Sequence, residues 1–187
     1  MMSEATTIHW IRRVSDEEIQ LLSDRNPELC FERSAEGDLV VSPPAGSNSG
    51  RRNATLTGIL WSWNARAGKG VVFDSSAGFV LPDSSLLSPD ASWIARSRWE
   101  GLTPQQQRRF SPLCPEVVME IMSPSDRGRR ARERVEIFQK NGAAVTVLLD
   151  PDKRLMEVNG RPQPWEPVAL AFPDCDVPFV LDPRELE

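Results

Sequence analysis

Residues 115–151 read PEVVMEIMSPSDRGRRARERVEIFQKNGAAVTVLLDP, and this stretch decides the fold. Its first part, PEVVMEIM, is a short, nearly continuous apolar run, the pattern of a strand covered on both faces. RGRRARERVEIFQKNG then places Ala131, Val135 and Phe138 on one helical stripe, and Gly142 is a natural stop for that helix. AAVTVLLDP returns to the buried-strand pattern. Strand, helix and strand in this order predict two parallel strands joined by a right-handed crossover.

Outward from this unit the chain continues to alternate. Ser15 followed by DEEIQLL reads as an N-cap, an acidic first turn and an apolar stripe, ending before Asn26-Pro27. LCFERSAEGDLVVSPP, from residue 29, reads as a hairpin turning at Gly37. AGSNSG at 45–50 reads as a loop, and the apolar residues 56, 59, 60 and 63 that follow have a helical period. GVVFDSSAGFVL reads as two strands around a Ser-Ser turn, and LLSPDASWIAR as one more strand containing Asp90. RWEGLTPQQQRRFSP is a polar excursion with a short helix starting near Thr103-Pro104. The tail offers three short strands, RLMEV, PVAL and PFVL. The expectation is a single α/β domain over residues 1–187, with a mixed central sheet flanked by helices, an N-terminal helix and hairpin, and a strand-rich tail.

Composition narrows the chemistry. No apolar run approaches the ~18 residues of a membrane span, and MMSEATTIHWIRR lacks the basic-then-apolar pattern of a signal peptide, so a cytoplasmic protein with no membrane partner is expected. Three scattered cysteines, Cys30, Cys114 and Cys175, argue against a disulfide framework or zinc site. With one histidine, His9, chemistry needing two histidines is excluded within the chain. The net charge of −5 confines any basic surface to a local patch. Only Lys69, Lys140 and Lys153 are lysines, which leaves carboxylates, arginines and hydroxyls to act.

Two carboxylates stand out. Along PEVVMEIM, Val117, Met119 and Ile121 share one face, and Val118, Glu120 and Met122 share the other. Glu120 is thus a charge in an apolar run, and needs a cation, hydrogen bonds or a raised pKa. An arginine from the next helix would satisfy it equally well. Asp90 follows Ser88-Pro89 and precedes apolar residues; it suits a turn, or a metal site shared with Glu120.

SPD at 88–90, followed by VVMEIMSPSD at 117–126, resembles the PD-(D/E)XK nuclease motif. More narrowly, the chain is similar to the Uma-type restriction endonucleases, a bacterial family long labelled a domain of unknown function. The resemblance runs from DEEIQLL through FERSAEGDLVVSPP, NATLTGIL, GFVLPDSSLLSPDASWI and VVMEIMSPSD to FQKNG and VTVLLDP. It implies a restriction-endonuclease-like fold, DNA as substrate, Mg2+ or Mn2+ held by Asp90 and Glu120, and a homodimer. It also assigns Glu32, in FERSAEGDL, to the same site; a surface ion pair or a hydrogen bond across the hairpin is the alternative.

The chain departs from the motif at Met122, where a lysine is expected and no charge is available. The family commonly moves that lysine to the following helix, where the matching residue is Arg134, flanking the stripe of Ala131, Val135 and Phe138. An arginine there can clamp a phosphate or orient Glu120, but stays protonated and cannot serve as a base. Arg127, Arg129, Arg130 and Arg132 suit a solvated helix face or a nucleic-acid backbone. Ser123, Ser125 and Asp126 suit helix caps rather than nucleophiles. Asn53 stands near where many relatives have a histidine. Of the tryptophans that could stack on bases, Trp61, Trp63, Trp93 and Trp99, the second and third suit the core and Trp99 the surface. Three functions follow: a Mg-dependent phosphodiesterase acting on DNA; a catalytically decayed nuclease fold serving as a binding or regulatory homodimer; or an interaction module using PVAL and PFVL.

Overall fold

The computed structural model describes residues 5–123 and 129–187, of Arg129 the backbone only; Ser125, Asp126 and Arg127 of the sequence reading lie outside the described residues. Strand β1 (Thr6–Ile8) precedes helix α1 (Asp16–Arg25) and the strands β2 (Cys30–Arg33) and β3 (Leu39–Ser42). Helix α2 (Ser47–Ala67) leads to β4 (Gly70–Asp74), β5 (Phe79–Val80), β6 (Leu86–Leu87) and β7 (Ala91–Ala95). The short helices α3 (Arg96–Glu100) and α4 (Pro104–Arg108) precede β8 (Val117–Ile121), α5 (Arg129–Lys140) and β9 (Val145–Asp150). β10 (Leu155–Val158), β11 (Arg161–Gln163), β12 (Val168–Leu170), β13 (Phe179–Leu181) and a 3-10 turn at Pro183–Leu186 follow.

The strands form a six-stranded sheet in the order β11-β10-β9-β8-β7-β4, a five-stranded sheet in the order β1-β3-β2-β6-β5, and the ribbon β12-β13. Among the described strands the central β8–β9 pair is parallel, with Glu120 opposite Leu148; it is the pair joined through α5. The sheet is therefore mixed, as the crossover pattern predicts.

Burial follows the alternation along β8. Val117, Met119 and Ile121 enter the largest core with Leu56, Leu60 and Trp63 of α2 and with Leu170, Phe179 and Leu181 of the terminal ribbon. Val118 joins Phe138 of α5 and Phe79 on the opposite face. Met122, at the position of the motif lysine, packs with Ala131, Val135 and Leu148 under α5. α1 starts at the expected cap: Ser15 and Glu18 exchange backbone and side-chain hydrogen bonds as a capping box. Thr103 and Gln106 do the same for α4.

Two local expectations are corrected and a third gains its pairing. Residues 47–50 form the first turn of α2, with Gly46 as N-cap, rather than a loop. GVVFDSSAGFVL does give two strands around a turn, and these find separate partners: β4 pairs with β7 and β5 with β6, in different sheets. LLSPDASWIAR is not one strand: β6 and β7 belong to separate sheets, and Asp90 sits in the bend between them. Pro89 has no amide to donate and so cannot carry a ladder through this point.

The fold also sets a tight backbone approach. Gly70 lies against the indole of the fully buried Trp93, so closely that an added Cβ would overlap ring atoms. Trp93 in turn donates from Nε1 to Asn64 Oδ1 at 2.9 Å. Gly70→Ala is expected to cost about 1–3 kcal/mol through overpacking, lowering the thermal midpoint by about 2–4 °C per kcal/mol. A melt by circular dichroism at unchanged midpoint would contradict this packing.

Candidate active site

Glu120 sits at the end of the apolar run of β8, in the face that looks toward α5, and is 4% exposed. Asp90 enters just before β7. Because Ala91 is paired with Met119, continuing the antiparallel register brings Asp90 beside Glu120. The link is direct in the backbone: Ile121 N donates to Asp90 Oδ2 at 2.8 Å. Asn53 Nδ2, from α2, donates to the other oxygen at 2.8 Å. Asp90 is half-buried as a residue, but these two bonds turn its carboxylate inward. Desolvation there raises its pKa, against the opposing pull of the Ile121 amide and Arg134.

Glu32 arrives from the other sheet. It lies on β2, 4% exposed, and its Oε1 accepts from Ser88 N at 2.8 Å. Arg134 joins the two glutamates. Its Nη1 donates to Glu32 Oε2 at 2.6 Å and Oε1 at 2.7 Å, its Nε donates to Glu120 Oε1 at 3.0 Å, and its Nη2 donates to Ser88 O at 2.6 Å. Every nitrogen of this guanidinium is thus engaged by protein. Burial opposes its charge, but Glu120 and Glu32 outweigh burial and push its pKa well above the ordinary arginine value. Glu120 moves the other way: desolvation raises its pKa well above the usual carboxylate range, Asp90 and Glu32 add repulsion, and Arg134 offsets only part.

The four residues expected from sequence, Glu32, Asp90, Glu120 and Arg134, therefore meet in one place. Of the two roles open to Arg134, orienting Glu120 is the one its contacts match. The pairing of Glu120 with an arginine of the next helix is also what the alternative reading of that residue required. Arg130 is less committed, touching Glu32 Oε2 at 3.9 Å with a third of its side chain exposed. Arg132 is turned away and pairs with Glu157. Two contributors escaped sequence reading. Ser88 offers both backbone groups to the cluster, and Asn53, noted only for replacing a histidine, holds Asp90. The tryptophans also rearrange: Trp63 and Trp93 are core, but Trp99 is half-buried against Phe73 with ring centroids 5.0 Å apart, and Trp61 is the exposed one.

Three carboxylates here face one fully engaged guanidinium and a second, looser one, leaving surplus negative charge. Hard oxygen donors with such a surplus fit a hard divalent cation. Among the described residues no group of three or more His, Cys, Asp or Glu is arranged to hold a metal ion. The fit therefore rests on Asp90 and Glu120 as a pair, with water and substrate oxygens completing the shell, as Mg2+ commonly requires. On Glu120, Oε1 is the oxygen that Arg134 holds.

A mixed sheet with acidic residues at the neighbouring ends of two central strands, crossed by a helix that carries a basic side chain to them, defines a restriction-endonuclease-like α/β protein. Residues 16–175 match the Uma2 family, described as "Putative restriction endonuclease", and the chain belongs to that family. A solved structure from Anabaena variabilis, titled as a putative nuclease belonging to DUF820, is similar with a TM-score of 0.63, 19% identity and 80% of each chain covered. At that identity the likeness concerns the fold. No curated protein matches. Among the described residues, no helix is long and apolar enough to cross a membrane.

Proposed function

We propose that this protein is a metal-dependent endonuclease that hydrolyses DNA phosphodiester bonds at the Asp90–Glu120 cluster. The observation that carries the reading is the convergence of Asp90 and Glu120, from the ends of adjacent strands, on one partly desolvated site in a chain of a nuclease family. Asp90 and Glu120 would hold Mg2+ or Mn2+. Such a cation supplies an acidified water and positive charge for a phosphate that gains negative charge as the bond breaks. Asn53 and the Ile121 amide fix the direction of Asp90, and Arg134 fixes that of Glu120. Glu32 holds Arg134 in place and contributes to the negative potential. A homodimer and a cytoplasmic setting belong to the same proposal; sedimentation and fractionation read them.

The test is incubation of the purified chain with supercoiled plasmid and with single-stranded DNA, in Mg2+, in Mn2+ and in EDTA. Cleavage in either metal, absent in EDTA, is expected. Absence of cleavage in every condition would overturn the catalytic reading in favour of the second one: a nuclease fold that binds without cutting. That second reading has its own support. Met122 is buried in the core where the motif lysine would act, and every nitrogen of Arg134 is already engaged. Calorimetric titration of Mn2+ and salt-dependent DNA binding would then report what the site retains.

A further inference from the structure

A groove of about 740 Å3 runs between α2 and the turn that follows β4. Asn53, Thr57, Gly58 and Trp61 line it from the helix, and Phe73 and Asp74 from the strand and turn. Nothing lies within 4 Å of where a Cβ on Gly58 would stand, so this side of the helix is open. The groove borders the candidate active site through Asn53, which lines it and also donates from Nδ2 to Asp90. Trp61 lies eight residues further along the helix, about 12 Å at 1.5 Å per residue. It is 63% exposed, unlike Trp63 and Trp93.

The lining chemistry selects among the parts of a nucleic acid. Among the described residues no lysine or arginine lines the groove, and its carboxylate, Asp74, has Oδ1 occupied by the amide and hydroxyl of Ser76. A phosphate backbone gains nothing from such walls. A nucleobase does: it has a π face for an exposed indole, and edges for the hydroxyl of Thr57 and the amide of Asn53. In a fully paired duplex both faces of every base are already stacked on neighbours, so an indole there must compete with the duplex.

Resting on the nuclease reading above, we propose that this groove binds an unpaired nucleobase of the strand to be cut, with Trp61 as the stacking platform. The substrate class is then single-stranded DNA, or duplex DNA with an unpaired base beside the cleavage point. The experiment measures binding with EDTA present to a labelled single strand, a fully paired duplex and a duplex carrying one unpaired base. It uses the wild-type chain, Trp61→Ala and Trp61→Phe.

Loss of the indole is expected to weaken binding of the single strand about tenfold or more. Trp61→Phe should retain most of the affinity, and binding of the paired duplex should change little. The duplex with one unpaired base separates the two sources: if it follows the single strand, an extruded base suffices; if it follows the paired duplex, a continuous single strand is required. Equal single-strand affinity in Trp61→Ala and wild type, or preference of the wild type for the paired duplex, would overturn the inference. The exposed position of Trp61 makes an unchanged thermal melt the expected control. The two readings fail separately. Plasmid cleavage with no effect of Trp61→Ala leaves the nuclease and removes the groove, whereas Trp61-dependent strand binding without any cleavage does the reverse.

Discussion

Asp90→Ala is expected to lower metal-dependent DNA cleavage by about a thousandfold or more while leaving the far-ultraviolet circular dichroism spectrum unchanged. A single group that stabilises developing charge in a preorganised site is commonly worth about 10²–10³ in rate. Asp90 is one of only two carboxylates proposed to hold the cation, so its removal should act on both the acidified water and the charge on the phosphate. The fold has little reason to object. Asp90 lies in a bend, and one of its partners, Asn53, also lines the surface groove, where water can replace the lost carboxylate. Wild-type cleavage by Asp90→Ala would remove this residue from the site.

The companion Asp90→Asn separates chemistry from stability through pH. Desolvation raises the folded-state pKa of Asp90 above its unfolded value. A carboxyl group shifted upward contributes stability that is fully present below the unfolded pKa and lost as pH rises through the folded one. Without metal at neutral pH, the wild type therefore carries an electrostatic penalty that Asp90→Asn lacks. Asp90→Asn is expected to melt no lower than the wild type at pH 7 in EDTA. That relative advantage should close as the pH falls toward the ordinary carboxylate range. A wild type that gains on the variant as pH rises would reverse the sign and refute the assignment.

Arg134→Met should do the opposite: unfold the protein readily, with or without metal. Arg134 is 14% exposed in its side chain, and Glu32 and Glu120 are each 5% exposed in theirs. Removing one partner of a buried pair commonly costs about 3–5 kcal/mol, because the remaining charge is stranded. Here one substitution strands two. Arg134→Lys should recover only part, since an ammonium is a point charge and cannot match the planar fork that spans Glu32, Glu120 and Ser88 O. Urea denaturation measures the loss. Combining Arg134→Met with Glu32→Gln and Glu120→Gln should restore a substantial share, because the stranded charges are gone. An Arg134→Met midpoint equal to wild type would mean that the cluster is solvated and does not hold the fold.

How much of this was legible in sequence depended on whether the signal was local. β8, α5 and β9 were readable because their apolar periods differ, and Glu120 stood out as a charge within such a period. The α1 cap was readable because Ser15 and Glu18 lie within one turn. Pairing between sheets was not readable. GVVFDSSAGFVL looks like a hairpin locally, yet β4 and β5 find partners in different sheets, and nothing within the twelve residues encodes that choice. The split of LLSPDASWIAR had a signal in Pro89 that the strand reading passed over. At the site, Glu32, Asp90 and Arg134 were assigned through a family resemblance, whereas the pairing of Glu32 with Arg134 and the contacts of Asn53 and Ser88 were not. Glu32 and Arg134 are 102 residues apart in sequence, and Ser88 acts through its backbone, which carries no residue-type signature.

The arginine fork also has a meaning for how such a chain could change over evolutionary time. Glu32 stands on the five-stranded sheet and Glu120 on the six-stranded one, so Arg134 rivets the two sheets together through the site. Asp90 stands outside the rivet. A lineage released from selection for cleavage could discard Asp90 freely, or even gain stability by doing so, yet would be held to Glu32, Glu120 and Arg134 by the need to fold. Descendants that no longer cut would still display most of the acidic signature, and the residue at position 90 alone would tell the two apart.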